Sequence, residues 1–366
     1  MEAEPIVRRL VKLTALAVIS GLILAGIVWV VGFQRTAQAV RQAGLGAFAV
    51  VGATMLPVLL LHTGAWAALN RPVKHKVSFR TLFEAVVVGL AGNILTPSTH
   101  LGGEPFKVVY VGRTTGHPYH EVAGTVLLSK YLEGLSFVLF FSLSTFVAAV
   151  SFRTLLFGPH LVAGVLLLVV AAGLLGLFVV LWLSLSRRWL PLTRLVAGLA
   201  HVRLFPRFFG RLVGRTRRME EQVSRVFWAE GGAARLAFGA FVVGHALVFV
   251  RPGLFFLLAR PQIALGLREL CLIFVASQAL LAFQLTPSGV GMLDGGLIGT
   301  FALLGLDGAQ HAAQCMAYLL CIRFWDALLV SAGVLLAARV GAGILTAKPP
   351  PTTELLESNA ADDEAD

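Results

Sequence analysis

Apolar residues run along this chain in long uninterrupted blocks, without the 3.6-residue stripe of a helix that keeps one wet face. Six blocks reach the ~20 residues that a helix needs to cross a bilayer. They lie at roughly 11–33, 44–69, 119–150, 159–186, 235–259 and 312–344 and are predicted as full spans. Two further apolar segments are broken. Residues 80–95 are interrupted by Thr96–Glu104 (TPSTHLGGE), after which only Pro105–Val111 stay apolar before Arg113. At about 1.5 Å per residue so short an arm cannot cross a ~30 Å hydrocarbon core, and the pattern predicts a re-entrant hairpin. Residues 268–306 carry the same device, with Thr286–Asp294 (TPSGVGMLD) as the interruption.

The two breaks read as copies. Leu95-Thr96-Pro97-Ser98 matches Leu285-Thr286-Pro287-Ser288, and the acids Glu104 and Asp294 follow at the same offset of 190 residues. The next long span repeats a basic and an acidic residue at i and i+3: Lys130 and Glu133, then Arg323 and Asp326. Each half holds two spans, a hairpin and one more span. Three crossings invert the second copy relative to the first, so the predicted fold is an all-α polytopic membrane protein, an inverted repeat with two re-entrant, broken-helix hairpins. The predicted repeats are approximately 6–158 and 159–346 of one transmembrane domain, 1–346, and an acidic tail, 347–366, is expected to be disordered.

Composition excludes a soluble alternative. The 366 residues are 57% apolar and 13% charged, with a mean hydropathy of +0.83, whereas a globular surface needs roughly 25% charged residues. Charge placement orients the chain. Residues 187–234 hold ten arginines, and Arg71, Lys74, Lys76, Arg80, Lys107 and Arg113 fall on the same side, which the positive-inside rule makes cytoplasmic. The opposite side receives Arg35, Arg41, Arg153, Arg260 and Arg268. Both termini are then cytoplasmic, in the cell (inner) membrane, and the apolar run after Arg8, Arg9 and Lys12 is a retained span without an A-x-A cleavage site. Within the basic loop, Arg203, Arg207, Arg211, Arg215, Arg218 and Arg225 recur at helical spacing with apolar residues between them. That pattern fits a helix in the cytoplasmic interface, drawn to anionic headgroups; nucleic acid is not an expected partner. The cysteines, Cys271, Cys315 and Cys321, are odd in number, lack CxxC spacing and read as core residues.

Non-helical backbone survives in a membrane only inside protein or beside a wet cavity. The candidate substrate-binding residues therefore gather at the two corners: Thr96, Pro97, Gly102, Gly103 and Glu104 in the first, with Lys107 on its short arm, and Pro287, Gly289, Gly291 and Asp294 in the second. A short helix beginning at Pro105 would aim its positive end at an anionic group such as a phosphate. Lys130, Glu133, Arg323 and Asp326 lie deep in their spans, where charge is costly unless paired or facing a cavity. Two readings stay open: self-neutralised i, i+3 pairs that support packing, or cations for a lipid phosphate with carboxylates as counter-charges or proton relays. Glu84 is a second-rank candidate that, like Lys107, can snorkel. His62 and His245 read as hydrogen-bonded core residues, and HPYHE at 117–121 lacks the further ligands of a metal site. Arg251, beside Pro252, reads as a snorkelling residue at the outer end of its span. No cofactor, metal or catalytic residue is expected.

The strings GNILTPSTHLGGEPFK, SKYLEG, TPSGVGMLD and CIRFWD resemble the flippase-like transmembrane domain of lysylphosphatidylglycerol synthases, over essentially the whole membrane region. The second corner departs from that family's P-G-G-x-G-x-x-E, with Ser288 for the middle glycine and Asp294 for the glutamate. The resemblance implies movement of a polar-headgroup lipid between leaflets by a stand-alone member lacking the aminoacyltransferase domain. The expected partners are membrane phospholipids with anionic headgroups and a separate lipid-modifying enzyme. The alternatives are a membrane-embedded transferase acting on a lipid-linked substrate, or a non-transporting accessory protein of such an enzyme.

Overall fold

A computed structural model of the chain describes residues 32–70, 77–96, 102–152, 161–187, 231–259, 263–282, 289–306 and 308–341, with a few single positions between them. The predicted span at 11–33, apart from its end, lies outside these residues. So do the interfacial arginine helix, Pro97, Ser98, Pro287, Ser288 and the tail 347–366. Among the described residues the chain forms α1 (Phe33–Leu69), α2 (Phe79–Leu95), α3 (Glu104–Thr115), α4 (Tyr119–Ser151), α5 (Leu161–Arg187), α6 (Gly231–Ala259), α7 (Leu267–Ala282), α8 (Met292–Leu303) and α9 (Ala309–Val340). α1, α4, α6 and α9 are long and apolar enough to cross a membrane, and the chain is an all-α, multi-pass membrane protein. The helix boundaries fall close to those read from the hydrophobic pattern: α2 ends at Leu95 and α3 begins at Glu104, and α7 ends at Ala282 and α8 begins at Met292.

The polar stretch 34–43 between two predicted spans is itself helical, and Gly44 at φ 71 kinks the chain where the second of them was expected to begin. Alanine, glutamine and arginine are good helix formers, and Thr36, Ala39 and Ala43 place small side chains on one buried face. Glycine alone turns the chain there without a Cβ penalty.

The helices divide into two compact units. The first comprises residues up to 63, 77–122 and 246–366, and the second 64–76 and 123–245. In the first unit α9 packs along α2, touches α3 and carries α8, while α2 pairs with α3 and α7 with α8. Both broken hairpins thus share one supporting helix. Its approach to α2 is close because Gly333 faces Ala91 and the Val87 carbonyl, where a Cβ would collide. The core of this unit joins Phe255, Phe256, Phe301 and Tyr318 with Met316, Leu319 and Leu297. Ring centroids lie 5.1 Å apart for Phe255 and Tyr318 and for Phe256 and Phe301, within the range of favourable aromatic pairs. Cys271, Cys315 and Cys321 are buried free thiols, as their spacing predicted.

In the second unit Leu69, Leu128, Leu132, Leu135 and Phe241 form the core, with Trp182 and Phe238 packed against it. Trp66 Nε1 donates to Thr125 Oγ1 at 3.0 Å, tying α1 to α4 inside this unit. His245 Nδ1 lies 2.9 Å from the Phe241 carbonyl and 3.2 Å from Ser136 Oγ, as expected of a hydrogen-bonded core histidine.

Candidate functional site

The first hairpin is closed by glycines at three levels. α2 starts on Ser78, whose Oγ accepts from the Thr81 amide at 3.1 Å, and ends on Thr96, whose Oγ1 donates to the Gly92 carbonyl at 2.7 Å. After the corner the Gly103 amide donates to Asn93 Oδ1 at 2.7 Å, and Gly103 sits against the Gly89 carbonyl with no room for a Cβ. Pro105 occupies the first turn of α3, where its missing N–H costs nothing. Phe106 then covers Gly92 and the Lys107 stem covers Gly89. Lower down, Tyr110 Oη donates to Glu84 Oε2 at 2.9 Å, and Arg80 Nε meets Glu84 Oε1 at 3.0 Å. Glu84 therefore ties the two arms together, and Lys107 folds back to Glu104, with Nζ–Oε2 at 3.0 Å.

Asn93 was quoted within the first motif but not singled out as functional. Its signal was a lone amide inside an apolar run, which in a membrane must find a partner. Asn93→Ala is expected to lower stability by about 1–2 kcal/mol, the cost of orphaning a buried amide, read as a lower unfolding midpoint in detergent.

The second hairpin uses different chemistry at its corner. Thr286 Oγ1 donates to the Val290 carbonyl at 2.7 Å, and the Gly289 amide donates to the Thr286 carbonyl at 2.9 Å. Gly289 and Gly291 hold φ values of 65 and 89, open to glycine and strained for other residues. The carboxylate of Asp294 caps α8 by accepting from the Gly291 amide at 2.8 Å. Asp294 is 0% exposed. From α9, Arg323 Nη2 reaches Asp294 Oδ1 at 3.0 Å and Oδ2 at 3.3 Å. The i, i+3 partner expected from spacing, Asp326, is the looser one, at 3.8 Å from Nη1. A corner carboxylate thus joins the hairpin to the helix that supports both hairpins.

Arg251 also departs from its sequence reading. Its Nε donates to Thr54 Oγ1 at 2.9 Å, pinning α6 to α1 within the first unit, where an outward snorkel was expected. Trp325, one residue before Asp326, fills the space left by Gly52 and donates from Nε1 to the Phe48 carbonyl at 3.1 Å.

Lys130 and Glu133 belong to the second unit. Their Nζ–Oε1 distance is 3.1 Å, and each is about one-fifth exposed. Lys107, Lys130 and Arg323 are thus each held by a carboxylate. An isolated charge out of water is expensive, and pairing offsets that cost.

This is a multi-pass, all-α membrane chain in which two pairs of shorter helices, α2 with α3 and α7 with α8, pack on the long helix α9, and each pair carries a carboxylate bonded to a base. The family described as the lysylphosphatidylglycerol synthase TM region matches residues 14–336, and the chain belongs to it. It is similar to a UPF0104 membrane protein of Methanothermobacter thermautotrophicus, 25% identical over 325 residues that cover 85% of this chain and 90% of the relative. A UPF0104 membrane protein of Pyrococcus horikoshii is 22% identical over 313 residues, covering 82% and 89%. No solved structure matches.

Proposed function

We propose that the chain is a lipid flippase of the cell (inner) membrane, with both termini cytoplasmic, that moves a phospholipid or lipid-linked substrate with a polar, anionic headgroup between leaflets, and that it catalyses no reaction itself. The observation that carries this reading is the Asp294–Arg323–Asp326 cluster, a guanidinium on a long supporting helix shared between a corner acid at 3.0 Å and a looser one at 3.8 Å. The carboxylates neutralise Arg323. A headgroup phosphate can displace Asp326 and take a forked guanidinium bond while Asp294 keeps its hold. At the first corner Lys107 can pass from Glu104 to phosphate in the same way. Lys130 and Glu133 supply a third pair of the same kind. The displaced carboxylates balance charge or take up protons.

The two hairpins would enter from opposite faces as inverted copies, and rocking one repeat against the other would expose the site alternately. The acyl chains stay in lipid. The test is leaflet exchange of labelled anionic, zwitterionic and glycosylated lipids in proteoliposomes of the full chain. Wild type should accelerate exchange of at least one anionic or glycosylated lipid. Arg323→Ala and Lys130→Ala should each slow it by about tenfold or more, the size of a lost charge-assisted bond. An accessory protein that recruits a lipid-modifying enzyme would instead give no exchange in wild type and unchanged recruitment in both variants.

A further inference from the structure

A cavity of about 340 Å³ opens where the first turns of α1 meet the first turns of α9. Arg35, Gln38 and Gln42 line it from α1, and Gln310 and Gln314 from α9. They stand around an alanine floor, of which Ala39 is 7% and Ala313 1% exposed. The α1 residues recur at i, i+3 and i+7 and so share one helix face, while Gln310 and Gln314 are one turn apart. The cavity exists because long polar side chains rim small apolar ones.

Its chemistry is selective. A carboxamide offers both donors and an acceptor and therefore matches a hydroxyl, which needs both. Arg35 supplies a permanent cation that binds phosphate through a planar fork, and none of the lining residues is acidic. Such a lining favours a phosphodiester carrying hydroxyls and repels a cationic headgroup. A volume near 340 Å³ is at the small end of ligand pockets, large enough for a headgroup and too small for acyl chains. Trp29 and Phe33, beside the cavity in sequence, are 80% and 70% exposed, and exposed aromatic rings concentrate at the headgroup level of a bilayer.

We propose that this cavity is a binding site for the headgroup of an anionic polyol phospholipid, a glycerol- or sugar-phosphodiester, in the leaflet that the first turns of α1 and α9 face. The proposal rests on reading the chain as a handler of lipids and assigns it a second headgroup site. Gln314 lies nine residues from Arg323 along α9, or roughly 14 Å by the helical rise. A lipid held there would be positioned next to the charge pairs before or after crossing.

The experiment is native mass spectrometry of the purified full chain in detergent, titrated with phosphatidylglycerol, phosphatidylcholine and soluble glycerol 3-phosphate. Wild type should retain phosphatidylglycerol over phosphatidylcholine by about fivefold or more, the equivalent of one lost hydrogen bond. The double variant Gln38→Leu/Gln42→Leu and the filling variant Ala309→Trp should each diminish that preference, leaving only what the Arg323 site holds, with an unchanged unfolding midpoint. Undiminished preference in both variants, or no preference in wild type, would overturn the site. Displacement of phosphatidylglycerol by an equal concentration of glycerol 3-phosphate would overturn the assignment to a lipid. Binding is read without translocation, so a wild type that binds selectively but exchanges no lipid upholds the pocket and counts against transport alone.

Discussion

Asp294→Ala is expected to destabilise the protein by about 3–5 kcal/mol, the range for removing one partner of a buried ion pair. Two losses combine. The Gly291 amide at the start of α8 loses its acceptor, and Arg323, 10% exposed on α9, loses its nearer counter-charge. Asp294→Asn separates them, because an amide oxygen still caps Gly291 but no longer neutralises Arg323. It should fall between wild type and the alanine variant. The double variant Asp294→Ala/Arg323→Met should recover much of the loss, since an apolar replacement of a buried pair is often close to neutral. Denaturation midpoints of purified protein in detergent decide the matter. A change within about 0.5 kcal/mol, typical of exposed positions, would mean that the pair is solvated and that the corner is not part of a packed interior.

Gly103→Ala should also be damaging, through space alone. Gly103 has φ −85, which any residue adopts, but a Cβ there would overlap the Gly89 carbonyl and come within 3.0 Å of the Asn93 side chain. Backbone cannot swing aside as a flexible side chain can, so α2 and α3 must separate and the Gly103–Asn93 bond must stretch. Overpacking of this kind costs about 1–3 kcal/mol. Lipid exchange should fall with stability, because the corner geometry sets where Glu104 and Lys107 stand. Gly116→Ala is the control. Gly116 ends α3 at φ 75 with no neighbouring atom within reach of a Cβ, so it should cost only about 1 kcal/mol from the left-handed conformation and leave exchange intact.

These two residues also mark what could be read from the sequence. Gly103 and Asp294 were candidates because glycine beside an acid in a broken apolar run has few other uses, and both corners were placed within a few residues. The pairing of Arg323 was not legible. Spacing shows only neighbours on one helix, so it proposed Asp326, whereas the closer carboxylate comes from another helix, 29 residues earlier. Asn93, Thr54 with Arg251, and the amide-rimmed cavity escaped for the same reason: each needs a contact between helices that no periodicity encodes. The stretch 34–43 read only as the polar interval between two spans, and the residues that rim the cavity went unnoticed with it.

Transport by the proposed route requires two corners of opposite orientation, each opening to water from its own face. Side-specific thiol labelling in sealed vesicles tests this directly, with Thr96→Cys or Thr286→Cys introduced singly and a membrane-impermeant reagent applied to one face at a time; the native thiols are buried. The account predicts labelling at 96 from the cytoplasmic face and at 286 from the outer face, each slowed by the transported lipid. Labelling of both from the same face, or of neither from any face, would contradict it.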